Sequence, residues 1–256
     1  MIPLPESIKL KRNTSAEALL VRKARDWIET DDRAPGIHAS DLLDERQAFF
    51  QHTDPRPLSD RLVSTFLVGK VLHAFVINAV DGVGGSDITD SDSGSTYSND
   101  LDITFSPDVV LRGIVRELKT SRSFYEPKNV DDLRLYIEQL LVYMTAKGHT
   151  RSQLWILFLN FKDEERRTAP AFRAYDVVIS EEDLAKLKEY LAERVQILKA
   201  AIAAGSYAGL PLCREWKCGA KNCQWYEKCK PEGRYGDPRF DSVSEAPKST
   251  RAKKAR

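Results

Sequence analysis

The sequence has no long hydrophobic run. None of its segments approaches the roughly 20 consecutive apolar residues that a membrane-spanning helix needs. Residues 1–6 also lack the apolar region of a secretory signal. These absences exclude a membrane-embedded protein and predict a soluble protein of the cytoplasm without a membrane partner.

An excess of either charge is absent as well. The 256 residues include 39 Lys and Arg against 38 Asp and Glu, a formal net charge of +1. No global field can then attract nucleic acid, and any DNA contact must be a local basic groove. The length allows a substantial core in one or two domains.

Cysteine is scarce and confined to one segment. The four residues are Cys213, Cys218, Cys223 and Cys229, interleaved with Trp216, Trp225 and Tyr226. Free structural cysteines would be scattered through the core. Disulfides are not expected, because nothing indicates secretion. The spacing predicts a metal site, and two alternatives remain: zinc, although the usual Cys-x2-Cys pairs are absent, or iron and sulfur.

Two carboxylates are predicted to meet across a strand hairpin. If Arg112 and Gly113 form its turn, Asp108 lies opposite Glu117, with their Cβ atoms roughly 4.5–5.5 Å apart. Glu117 and Lys119, two apart on a strand, point to the same face. Carboxylates on rigid elements suit a hard divalent cation. The register also pairs Val109 with Arg116, Val110 with Val115, and Leu111 with Ile114.

Asp102 is the alternative to Asp108 as the first carboxylate. Choosing it would place residues 106–113 largely in a loop, although Val109, Val110 and Leu111 are typical strand residues. We therefore favour Asp108 and keep Asp102 as its alternative.

The remaining pattern predicts an α/β fold with a mixed central sheet flanked by helices. Helices are expected over about 14–29, 40–51, 59–80, 129–147 and 180–205, and further strands over 153–160 and 171–179. On the third helix, Phe66 and His73 fall on one inward face. Gln139 and Tyr143 share a face of the fourth.

The ordered set His73, Pro107-Asp108, Glu117-x-Lys119 and Gln139-x-x-x-Tyr143 resembles the PD-(D/E)xK nuclease superfamily, in particular its RecB-like exonuclease branch. The resemblance covers residues 60–145. It implies a restriction-endonuclease-like nuclease core at 59–205, after an N-terminal helical region at 1–58. A cysteine-rich segment at 206–235 and a basic tail at 236–256 would follow.

The resemblance also implies roles for these residues. Mg²⁺ or Mn²⁺ would bind to His73, Asp108 and Glu117, while Lys119 positions the attacking water or stabilises charge on the phosphate. Gln139 and Tyr143 would contact the substrate strand or the active site.

The cysteine segment resembles that of the CRISPR-associated Cas-type, AddB-type and exonuclease V nucleases. In these families a C-terminal cysteine group binds a 4Fe–4S cluster, which favours iron over zinc here. The families usually take one ligand from before the core, where this chain has no cysteine. Cys213 would replace it. All four ligands would then come from the C-terminal segment, so the cluster would link parts of this segment more than it joins the two ends of the chain.

The expected function is metal-dependent exonuclease action on single-stranded DNA ends or overhangs. It would serve DNA repair and recombination, or CRISPR spacer processing in antiviral defence. The alternative is a nuclease-fold DNA-binding adaptor that docks to recombination or CRISPR-integration proteins with weak cleavage or none.

Overall fold

The computed structural model describes residues 14–29, 35–83, 95–111, 113–163, 165–214 and 223–229. Cys218, Trp216 and the predicted basic tail at 236–256 lie outside these ranges. In the described part of the chain, no helix combines the length and the apolar character needed to cross a bilayer.

Among the described residues, three α-helices come first, followed by four strands, one α-helix, two strands and two α-helices. The helices are α1 (Thr14–Glu29), α2 (Glu45–Thr53), α3 (Asp60–Val83), α4 (Arg134–Lys147), α5 (Glu181–Ala204) and α6 (Tyr226–Cys229). Short 3-10 helices at Ala39–Leu43 and Val130–Leu133 precede α2 and α4. The strands are β1 (Thr96–Ser98), β2 (Ile103–Phe105), β3 (Val109–Leu111), β4 (Ile114–Ser121), β5 (Arg151–Lys162) and β6 (Thr168–Val178).

A four-stranded mixed sheet organises the fold. Its strand order is β3-β4-β5-β6, and only β4 and β5 run parallel among these neighbours. A parallel pair needs a long crossover, and α4 supplies it between β4 and β5. Strands β1 and β2 form a separate antiparallel pair. The prediction of a mixed α/β fold with helices flanking a mixed sheet is confirmed.

The hairpin register is also as predicted. Val109 pairs with Arg116, Val110 with Val115, and Leu111 with Ile114. The turn needs a residue with positive φ, and Gly113 adopts φ 72° at no steric cost. Asp108 lies immediately before β3 and is therefore held by the start of the hairpin.

Two predicted details of the helices are wrong. Ser40 does not begin the second long helix, because a 3-10 helix occupies this position and α2 begins after Asp44. Phe66 does not face inward, because 47% of its surface is exposed. By contrast, the helices predicted from 129 and 180 do begin near these residues, where Asn129 caps the turn leading into α4 and Ser180 caps α5.

One hydrophobic core unites the sheet with α2, α4, α5 and the described cysteine segment. Its buried members include Phe50 from α2, Met144 from α4, Ile156 from β5, Val195 from α5 and Trp225. A buried ion pair crosses this core, because Arg194 Nε donates to Glu45 Oε1 at 2.6 Å. The predicted division of the chain at residues 58, 205 and 235 stays a prediction.

Residues 223–229 dock on α2 and the turn after it. Trp225 is 1% exposed, stacks on Phe50 with an interplanar angle of 13°, and donates through Nε1 to the Asp54 carbonyl at 2.9 Å. Arg56 donates to the Gln224 carbonyl at 2.7 Å. Packing and hydrogen bonds therefore join this segment to the N-terminal region, and the expectation that a cluster would link the segment mainly to itself stays a prediction.

Trp225→Ala should lower the free energy of unfolding by about 3–5 kcal/mol, as for other fully buried tryptophans. The substitution removes both the stacking on Phe50 and the hydrogen bond to Asp54. Urea denaturation with a chelator present measures this docking separately from any bound metal. Trp225→Phe keeps a ring and should cost less. A loss below about 1 kcal/mol for the alanine variant would contradict the proposed importance of the docking.

Candidate active site

Three elements bring the predicted site residues together. The helix α3 carries His73, the hairpin carries Asp108, Glu117 and Lys119, and α4 carries Gln139 and Tyr143. The structure thus assembles six residues that are spread over 71 positions of the sequence, from 73 to 143.

Asp108 lies between His73 and the backbone of β4. Its Oδ1 is 2.9 Å from His73 Nε2, although the two groups are not aligned as a hydrogen bond. Its Oδ2 accepts a hydrogen bond from Leu118 N at 2.7 Å. Burial raises the pKa of Asp108, but the contact with His73 and the charge of Lys119 outweigh burial. The pKa is consequently lowered, and Asp108 is the charged carboxylate of the site.

Glu117 is closed off from water. It has 0% exposure, and Lys119 Nζ donates to its Oε1. Its Oε2 is buried without a hydrogen-bond partner among the described residues. Burial and the charge of Asp108 raise the pKa of Glu117 to about 8, against the attraction of Lys119. One carboxylate of this pair therefore retains a proton near neutral pH.

Lys119 is the cation of the site. Burial lowers the pKa of its ammonium group, but the charges of Glu117 and Asp108 outweigh burial and raise it. Its side chain remains 23% exposed. Lys119 thus stays charged beside the carboxylates while part of it remains open to a ligand.

The α4 pair borders the same carboxylates. Gln139 Nε2 donates to the Tyr143 hydroxyl at 2.7 Å. Burial, followed by the charge of Glu117, raises the pKa of Tyr143, so its phenol stays neutral. The Gln139–Tyr143 hydrogen bond therefore fixes a neutral hydroxyl close to the two carboxylates.

Asp102, the alternative first carboxylate, makes different contacts. It adopts φ 55° and its carboxylate accepts hydrogen bonds from Tyr97 and Lys199. The hydrogen bond from Lys199 lowers the pKa of Asp102 most. The structure accordingly groups Asp108, and not Asp102, with Glu117.

The donor set at the carboxylates fits a hard divalent cation. It offers an imidazole nitrogen and carboxylate oxygens, and Mg²⁺ and Mn²⁺ favour such oxygen ligands. His73 Nε2 and Glu117 Oε2 are both buried without hydrogen-bond partners in the described part of the chain. Buried polar atoms are normally paired. A cation between them would satisfy both atoms and replace the proton of Glu117.

A second group of potential ligands lines a pocket against α2. Cys213, Cys223 and Cys229 share it with Arg46 and Phe50. Burial and then the charge of Asp44 raise the pKa of Cys213 to about 12, and burial raises the pKa of Cys223. These thiols thus hold their protons until a metal displaces them. Cys218, the fourth predicted ligand, lies outside the described residues.

Neither group forms a finished coordination shell. Among the residues that the structure describes, no set of three or more His, Cys, Asp or Glu side chains stands in a metal-binding arrangement. At the carboxylates, Lys119 occupies one oxygen of Glu117. A cation that bound through this oxygen would require Lys119 to move aside, whereas Glu117 Oε2 has no such contact in the described structure.

Sequence reasoning missed Arg46 and Tyr136. Arg46 is buried, donates to Cys229 Sγ at 3.9 Å, and has an Nε without a partner in the described structure. No local signal distinguishes it from a surface arginine of α2. Tyr136 interacts electrostatically with Lys119. Its spacing of three and seven residues from Gln139 and Tyr143 on α4 would have revealed it.

Comparison with known proteins supports the fold alone. No family model matches the chain, and no curated protein matches it either. Among solved structures, the crystal structure of SSO0001 is similar with a TM-score of 0.53 at 17% identity. The match covers 85% of this chain and 97% of SSO0001. The two chains therefore share an overall fold over most of their length.

In metal-free protein, the unfolding free energy of the Glu117→Gln variant should increase relative to that of the wild type as the pH rises. The pKa of Glu117 is about 8 in the folded state against an ordinary 4.5, so the unfolded chain binds fewer protons between these values. The stability of the wild type then falls as pH rises through this window. Glutamine removes that titration.

We expect the difference in unfolding free energy, variant minus wild type, to increase by more than about 1 kcal/mol from pH 5 to pH 9. Urea denaturation with a chelator measures it. Glu189→Gln, on an exposed position of α5, reports the effect of the same change at the surface. An equal pH dependence of wild type and Glu117→Gln would contradict the raised pKa.

Proposed function

We propose that this protein is a metal-dependent DNA nuclease that hydrolyses phosphodiester bonds at single-stranded ends or overhangs. The observation that carries the proposal is the buried Glu117, whose Oε2 has no partner in the described structure while Asp108 and Lys119 lie beside it. Such an arrangement is costly to keep without function. Strongly perturbed carboxylates next to a cation are typical of catalytic sites.

The proposed ligands of Mg²⁺ or Mn²⁺ are His73, Asp108 and Glu117. When bound, the ion supplies a water of lowered pKa and charge stabilisation on the phosphate. Asp108 is already ionised, and its Oδ2 is fixed by Leu118 N. Glu117 contributes the second negative charge once its proton is lost.

The remaining residues act on the substrate. Lys119, charged and partly exposed, is suited to hold the attacking water or a phosphate oxygen. The neutral Tyr143 hydroxyl, oriented by Gln139, offers a hydrogen bond close to the carboxylates. These groups position the phosphodiester and stabilise the charge that develops on it.

For the cysteines we propose that the four thiolates bind a 4Fe–4S cluster, with zinc as the alternative metal at the same thiolates. Cys213, Cys223 and Cys229 line one pocket, and Cys218 would complete the set. Thiolate ligation suits both metals. Because the pocket is built on α2, the cluster would strengthen the docking of the C-terminal segment, and hydrolysis would occur at the other site.

The proposed setting is DNA repair and recombination, or CRISPR spacer processing, in the cytoplasm. An adaptor role is the second candidate, favoured by exposed apolar side chains on α1 and α3. Leu20, Val71 and Phe75 are 69%, 48% and 64% exposed. Val71 and Phe75 lie one turn apart on α3, and neighbouring exposed apolar side chains are a feature of protein-contact sites. Recombination or CRISPR-integration proteins are the proposed partners.

Asp108→Asn should reduce cleavage of end-labelled single-stranded DNA by about 100-fold or more with Mg²⁺ or Mn²⁺, because a metal ligand loses its charge. Asparagine can still accept the hydrogen bond from Leu118 N, so the hairpin should remain folded. Asp102→Asn is the matched control: asparagine tolerates the positive φ at this position, and activity should persist.

A circular substrate distinguishes cleavage that requires a DNA end from cleavage within a strand. A circular single strand of the same sequence should resist the enzyme if cleavage requires an end. Inactivation by Asp102→Asn with activity retained in Asp108→Asn would contradict the assignment of the site. Failure of the wild type to cleave any strand with either ion would favour the adaptor role.

Protein purified without oxygen should be brown and contain about four iron atoms per chain. Cys223→Ala should lose most of this iron, as measured by absorption and elemental analysis, and should be less stable to urea. Glu117→Gln is the control and should retain its iron, since it alters the other site. Stoichiometric zinc in a colourless protein would overturn the cluster and leave the nuclease proposal intact.

A further inference from the structure

The loop after β4 exposes two aromatic rings. Within this aromatic loop (residues 121–126), Phe124 and Tyr125 are 45% and 65% exposed. Aromatic side chains usually bury most of their surface in a core or an interface. Two adjacent exposed rings directly after the strand that carries Glu117 and Lys119 indicate a contact surface.

The aromatic loop is held in a fixed conformation. Ser123 N donates to Ser121 Oγ at 3.1 Å, and Ser123 Oγ donates to the Tyr125 carbonyl at 2.9 Å. The backbone of β5 also fastens the loop, because Lys162 N donates to the Phe124 carbonyl at 2.8 Å. Rings held in this way lose little conformational freedom on binding.

A lysine lies over both rings. Lys162 Nζ is 5.2 Å from the Phe124 ring centroid and 5.8 Å from that of Tyr125. In the described part of the chain, no carboxylate forms an ion pair with Lys162. Arg173 lies over Phe161 at 4.5 Å and pairs with the exposed Glu126 at 3.3 Å. The loop therefore combines aromatic surface with a positive charge available to an anion.

The sheet register places this surface beside the candidate active site. Lys119 pairs with Ile156, which pairs with Arg173 on β6. Paired residues project to the same face, so Arg173 shares the face of Lys119 two strands away, or about 10 Å. Glu126 of the loop contacts Arg173. Glu126 of the aromatic loop thus borders the face that carries the carboxylates, while Lys162, which pairs with Thr168, projects from the opposite face at the end of the same sheet.

We propose that the aromatic loop is a binding subsite for unpaired DNA next to the phosphate that is cleaved. Bases stack on Phe124 and Tyr125, while Lys162 binds a phosphate of the same strand. This combination of aromatic faces and cations is how proteins hold single strands without sequence preference. A duplex keeps its base faces stacked internally, so the subsite selects unpaired DNA. The inference rests on the proposed nuclease function.

The binding experiment uses fluorescence anisotropy of a labelled oligo-dT, with a chelator present to prevent cleavage. The double variant Phe124→Ala with Tyr125→Ala should bind oligo-dT at least about ten-fold more weakly. Phe124→Tyr with Tyr125→Phe keeps both rings and should restore the affinity. Phe172→Ala is the matched control: Phe172 is 55% exposed, faces away from its neighbour Arg173, and lies four residues, or about 13 Å, along β6 from Thr168, the partner of Lys162.

Two further measurements separate stacking from charge. Lys162→Ala should reduce the slope of log affinity against log salt by roughly 0.7, the value for one phosphate on a single strand. Affinity for a blunt duplex should be unchanged in the double aromatic variant. With metal present, the same variant should raise KM for a single strand while kcat stays near the wild-type value.

Unchanged oligo-dT affinity in the folded double variant would overturn the subsite, and cleavage by the wild type would still uphold the nuclease. An equal loss for single strand and duplex, or an equal loss in Phe172→Ala, would also overturn it. If binding depends on the loop but the wild type cleaves no DNA, the nuclease proposal fails and the subsite stands. Absence of oligo-dT binding by the wild type would overturn both.

Discussion

The burial of the Glu117 carboxylate beside that of Asp108 is the constraint on which the rest of the site depends. Two carboxylates removed from water repel each other, and a buried charge without a partner costs several kcal/mol. Lys119 offsets part of this cost at Glu117, and Leu118 N and His73 do so at Asp108. The compensation is incomplete, because Glu117 Oε2 has no partner in the described structure and the pKa of Glu117 is raised. The folded chain therefore holds a proton at this pair near neutral pH, which a divalent cation would displace.

Sequence analysis could predict the centre of this site because its geometry is local. The register of a hairpin follows from its turn, so the position of Gly113 was sufficient to place Asp108 opposite Glu117. The same holds for helix ends such as Ser180, whose side chain accepts a hydrogen bond from Asp183 N. Asp102 shows where local reasoning ends. Its partner Lys199 lies on α5, 97 positions away, and no periodicity of either segment predicts that pair.

The docking of the cysteine segment depends on tertiary contacts of the same kind. In the sequence, Trp225 is only one of several aromatic residues between cysteines. In the structure it is among the most buried side chains and joins the segment to α2. Arg46 has the pattern of a surface residue, but the packing of Leu210 and Tyr207 over α2 buries it, and the Leu210 carbonyl accepts its hydrogen bond. For Phe66 the error is the opposite one, because the sequence predicts a buried ring and the structure exposes it. It satisfies helical periodicity, but nothing in the described structure covers that part of α3 fully, so its ring stays exposed.

The packing of Trp225 and the hydrogen bonds to Asp54 and Arg56 bear on the physical role that a cluster would have. A metal whose ligands are otherwise unstructured contributes its binding free energy directly to folding. Here the proposed ligands Cys223 and Cys229 flank Trp225, which α2 and the residue after it hold through Phe50 and the Asp54 carbonyl. This packing helps to hold Cys223 and Cys229 at one pocket with Cys213, and less chain entropy would be lost on ligation. The core then connects the two sites mechanically, since α2 and α5 pack on each other and α5 packs on α4, the helix that carries Tyr143. Loss of a cluster would accordingly weaken the support of the carboxylate site through packing, while the ligands of that site would remain chemically intact.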